Sequence, residues 1–101
     1  MKITIKQKDI ELRKTFRSVI AFEQASGKIF NPQTISDTIL YFYCVIIASD
    51  DSIELTFDEF IMWLDDSPTA LTEFTQWIVR QSEIESTLSK KKSVRTKKDT
   101  Q

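Results

Sequence analysis

The chain of 101 residues carries 14 Lys and Arg against 15 Asp and Glu, no histidine, one cysteine, one glycine and two prolines, with 41% hydrophobic and 11% aromatic residues. That is material for one small core and excludes two independent ones. Without histidine there is no imidazole base, no Ser/His or Cys/His pair and no zinc site of the usual kind, and a lone cysteine makes no internal disulfide. The net charge of -1 conceals an asymmetry: residues 1–85 hold 8 basic and 14 acidic side chains, whereas residues 86–101 hold 6 basic and 1 acidic.

Met1, Ile3 and Ile5 alternate with Lys2, Thr4 and Lys6, and after Gln7-Lys8-Asp9 the alternation resumes at Ile10 and Leu12. Period two marks strands, so residues 1–14 are expected to form a β-hairpin whose turn lies at Lys8-Asp9, without the glycine such turns favour. An isolated hairpin is marginal in water, so its apolar face must rest on helices or on another sheet.

From Thr15 the spacing becomes helical. Phe16, Val19, Ile20 and Glu23 fall on one side with Phe22 beside them, and Gly27 stands where a left-handed terminal residue is wanted, giving a helix over about 16–26. Asn31-Pro32 breaks the chain, Thr34 offers a capping hydroxyl, and the run from Ile35 to Ile47 is apolar on nearly every side, predicting a central helix over about 34–49. Thr56 and Glu59 have the spacing of a capping box, with Leu55 and Phe60 at the two positions of a hydrophobic staple, so a third helix covers about 57–65. Ser67 and Pro68 open a fourth over about 68–85, with Leu71, Phe74, Trp77, Ile78 and Gln81 as its stripe. From Ser86 the composition turns to Ser, Thr, Lys and Arg, so 86–101 is expected to be a disordered basic tail. The fold class is therefore α+β, mainly α: a hairpin and about four helices in one domain over 1–85.

The N-terminal segment interleaves lysines with its apolar residues and so does not read as a secretion signal. The longest apolar stretch, from Ile39 to Ala48, is about half of what a bilayer crossing needs. With an unpaired cysteine, these features favour a cytoplasmic protein without a membrane partner.

The acidic stretch from Asp50 to Glu59 resembles the exit of a calcium loop. Counting back from Glu59 as the twelfth position puts Ala48 where the first carboxylate belongs and Ile53 where glycine makes the sharp turn, so calcium is rejected. Asp65-Asp66 reads as a pair of helix-junction acids, not a catalytic dyad, and Cys44 as a buried small hydrophobe. No catalytic, cofactor-binding or metal-binding residue is assigned and no cofactor is expected. The basic tail, through Lys90, Lys91, Lys92, Arg95, Lys97 and Lys98, offers an electrostatic arm. Nucleic acid is a weak candidate for it, because the rest of the chain is acidic and no aromatic is interleaved for stacking bases.

The hairpin, the short helix ending at Ser26-Gly27-Lys28, the run Tyr41-Phe42-Tyr43-Cys44 and the segment from Leu55 to Phe60 followed by Trp63-Leu64-Asp65 together resemble the small tail assembly chaperones of long-tailed bacteriophages and prophages. The likeness spans roughly residues 1–82 and rests on the order and spacing of hydrophobic blocks. It implies a non-enzymatic protein of the bacterial cytoplasm that binds the tape-measure protein and keeps it soluble until tail-tube subunits polymerise around it. Contacts with the tail-tube protein and self-association are further partners it implies. Such a role needs an apolar groove or sheet edge, for which the hairpin edge and the third and fourth helices are the candidates, with Trp63, Phe74, Trp77 and Ile78 as contact residues. The alternative is a small nucleic-acid-binding or regulatory protein acting through the basic tail.

Overall fold

The computed structural model describes residues 1–82. Its elements are β1 (Lys2–Ile5), β2 (Lys8–Glu11), α1 (Phe16–Ser26), α2 (Ile35–Ser49) and α3 (Phe57–Asp66), followed by a fourth helix, α4, over 69–82 of the described residues. The architecture is the expected one, an N-terminal antiparallel hairpin followed by four helices. The last expected turn of α4 and the whole basic tail, from Lys90 to Lys98, lie outside the described residues.

The hairpin corrects the expected turn. The two residues between the strands are Lys6 and Gln7, with φ of 52° and 62°, and the register pairs Ile5 with Lys8, Thr4 with Asp9, Ile3 with Ile10 and Lys2 with Glu11. Two consecutive left-handed residues are what a tight hairpin needs to match the twist of its strands. The expected position at Lys8-Asp9 followed the break in apolar alternation, but Lys8 belongs to the inward-facing set with Ile10 and Leu12. Its ammonium leaves the core to reach Asp50, which makes a lysine tolerable there.

Local chemistry fixes the helix boundaries. In α1 the Thr15 side chain accepts from the Ser18 backbone N–H at 3.1 Å, the Ser18 hydroxyl reciprocates, and Gly27 closes the helix at φ 70° with its N–H on the Glu23 carbonyl. Thr34 caps α2 through the Asp37 N–H. Thr56 and Glu59 form the capping box of α3.

α2 is the central element. Tyr41, Phe42, Cys44, Val45 and Ile46 are fully buried, and the same cluster contains Ile3, Ile5, Ile10 and Leu12 of the hairpin, Phe22, Leu55, Phe60, Leu64, Ala70 and Phe74. Rings run through it: Tyr41 meets Phe22, Phe30 and Phe74, while Phe42 stacks on Phe74 at 4.2 Å and meets Phe60 and Trp63 edge-on.

The buried side of α1 is not the one that carries Phe16 and Ile20. Ser18 and Phe22 face α2, and Phe16 and Ile20 stand on the roughly opposite side. Phe22 wedges against Phe30 and Tyr41. Ser18 is small enough for close approach, and its hydroxyl is satisfied by the Thr15 carbonyl at 2.6 Å with the Tyr41 hydroxyl at 3.4 Å. Close packing of two helices selects the smaller side chain at the contact, which leaves the larger ones outside.

Candidate interaction surface

The residues expected to meet a partner are distributed differently from the sequence reading. Phe74 has no exposed surface and stacks in parallel on Phe42, so it belongs to the core and presents nothing to a partner. The α4 stripe containing it is turned toward the protein's own hydrophobic cluster, with Leu71, Trp77 and Ile78 packed partly exposed at its margin. Trp63 is half-buried, and its indole Nε1 donates to the Thr4 carbonyl at 2.9 Å. Thr4 and Asp9 are a pair whose backbone groups point out of the hairpin, so Trp63 occupies an acceptor on the free edge of β1. The hairpin edge is thus partly closed by α3.

The acidic stretch after α2 is neutralised from within. Lys8 pairs with Asp50 at 2.7 Å and donates to the Ser52 hydroxyl. Lys6 pairs with Glu59 at 3.0 Å and donates to the Glu54 carbonyl at 2.6 Å. The Lys8 ammonium, followed by the Ser52 hydroxyl, holds the Asp50 carboxyl down at about 2, and the Thr56 N–H together with Lys6 lowers that of Glu59. The two carboxylates that prompted the calcium comparison are therefore tied to the hairpin. Among the described residues no group of three or more Cys, Asp or Glu side chains is placed to hold a metal ion, and no buried side-chain nitrogen or oxygen lacks a partner. The Cys44 thiol is buried, and desolvation pushes it up to about 11, far from the thiolate a nucleophile requires. No helix among the described residues is long and apolar enough to cross a membrane.

What the molecule does expose is apolar surface on α1, on the segment after it and at the first residue of α2. Phe16 is 89% exposed, Ile29 86%, Ile35 72% and Ile20 53%. Phe16 and Val19 line a groove with Lys14, Thr15 and Phe30, of about 520 Å³. Phe30 forms one wall because its ring is anchored behind by Phe22 and Tyr41 and its N–H by the Glu23 carboxylate at 2.8 Å. A second set, Phe57, Met62 and Val79, lies exposed on α3 and α4. The sequence held a signal for the groove: the apolar residues of α1 occupy more of its circumference than one interface with α2 can bury.

The chain matches no protein-family model, no curated protein and no solved structure.

Proposed function

We propose that the protein is a non-enzymatic binding module of the phage tail assembly chaperone class, which holds the tape-measure protein soluble in the bacterial cytoplasm while the tail tube assembles. The observation that carries this reading is the uncovered apolar side of α1, above all Phe16. Apolar surface left in water costs about 25 cal/mol per Å², and Phe16 and Ile20, one turn apart on α1, are large apolar side chains of the kind another chain covers. A client that is long, helical and prone to aggregate needs that kind of cover, repeated along its length by several copies. The likeness in hydrophobic-block order to that class supplies the identity of the client.

Co-expression with the tape-measure protein of the same genome tests the reading. The expected result is a soluble complex that co-purifies, against an insoluble client when expressed alone. A client that stays insoluble and fails to co-purify overturns it.

A further inference from the structure

A two-stranded sheet has two edges, and the hairpin protects them by different means. In its register Ile3 and Ile5 exchange backbone hydrogen bonds with Ile10 and Lys8. The outward N–H and C=O groups therefore belong to Lys2 and Thr4 on β1 and to Asp9 and Glu11 on β2. Such a row of groups is a template for another strand.

On β2 both outward positions are acidic. A second copy pairing there antiparallel, with both inner faces on the same side of the sheet, sets one of these acids opposite another within the strand. Glu11 is offset by the Met1 ammonium at 3.1 Å, but Asp9 has only the Thr4 hydroxyl. Like charges directly opposite each other disfavour this pairing. β1 has no such defence. The same arrangement centred on Ile3 sets Lys2 opposite Thr4 of the other copy, and Lys2 to Ile5 is rich in the β-branched residues that strands favour.

It is at β1 that the fold supplies a cover. Trp63, 59 positions away, donates its indole N–H to the Thr4 carbonyl at 2.9 Å. The ring meets Phe42 edge-on and stacks with Phe60, both at 6.0 Å between centroids, and neither phenylalanine has exposed surface. The core, not the strand, thus fixes the position of the indole. Among the described residues, the Thr4 carbonyl alone of the four outward groups on β1 has a hydrogen-bond partner.

We propose that Trp63 guards the β1 edge: its indole occupies the Thr4 acceptor and keeps two copies of this chain from joining through β1 into one continuous sheet. This gives Trp63 a role other than contact with a client, and it does not depend on the tape-measure reading.

Trp63→Phe in the full chain keeps a ring against Phe42 and Phe60 and removes the donor. Association is read by sedimentation over a range of protein concentrations, and the edge by hydrogen exchange at the Lys2 and Thr4 amides. The expected result is self-association at least about tenfold tighter than that of the unaltered chain, with exchange at both amides slowed as they enter a ladder. Adding Thr4→Lys, which sets lysine side chains opposite each other across the new pairing, should return association to the unaltered level. Trp77→Phe should change nothing.

A Trp63→Phe protein that associates no more than the unaltered chain would overturn the proposal. A dimer that survives Thr4→Lys, or one that leaves the two amides exchanging as before, would do the same. So would loss of folding in Trp63→Phe, since the indole would then be a contact the fold requires and not a guard.

Discussion

Phe74 and Phe16 are both phenylalanines on apolar helical stripes, and their surroundings are opposite. Phe74 is wholly buried against Phe42, Tyr41 and Trp77, while Phe16 keeps 89% of its surface in water. Phe74→Ala is therefore expected to cost about 3–5 kcal/mol of unfolding free energy, the loss of a core ring plus the cavity it leaves. Phe16→Ala should change stability by no more than about 0.5 kcal/mol. Urea unfolding of the two variants checks the pair, and a large loss at Phe16 would mean that its side chain is packed and not available to a partner. Cys44, Ser18 and Lys8 make the same point: residue type sets what a side chain costs to bury, and the neighbours decide whether it is buried.

Among the elements, the hairpin and α1 use left-handed backbone in contrasting ways. At Gly27 a Cβ would meet nothing within 4 Å, so Gly27→Ala is expected to cost about 1 kcal/mol through backbone conformation alone. At the hairpin tip the same conformation is imposed on Lys6 and Gln7. Gln7→Gly should accordingly stabilise the fold by up to about 1 kcal/mol. Lys6→Gly should gain nothing comparable, because it removes the contacts with Glu59 and the Glu54 carbonyl. Thermal unfolding of the three variants decides this, and a destabilised Gln7→Gly protein would contradict the strain argument. A lysine is retained in a strained position here because its ammonium joins the hairpin to the loop before α3.

For the whole molecule, the contacts of Lys6 and Lys8 join the hairpin to the α2–α3 segment through carboxylates whose affinity for protons is lowered. A carboxyl with a folded-state value below its unfolded one stabilises the fold fully above the unfolded value, and that contribution disappears as pH falls through the folded value. For Asp50 the window runs from its ordinary 3.8 down to about 2, and Glu59 contributes in the same direction. The unfolding midpoint is expected to fall on acidification across this window, and the Asp50→Asn variant should show a shallower fall. An identical pH profile in that variant would show that the Asp50 pairing adds nothing to stability.

The sequence by itself determined the order of elements and most of their ends. Thr15, Thr34, Thr56 and Gly27 act on backbone groups within a few residues, and that chemistry is local. It also determined that α2 is central, since a helix apolar on nearly every side has to be surrounded. Only the tertiary structure decided the hairpin register, the burial of Phe74 and which side of α1 meets α2. Each of these depends on contacts between residues distant in the chain: Lys8 with Asp50, Trp63 with Thr4, and Ser18 against Tyr41. Close approach of α1 to α2 took the side with the small Ser18 and left Phe16 outside, a choice that periodicity cannot register because it counts hydrophobic residues and not the space available to them.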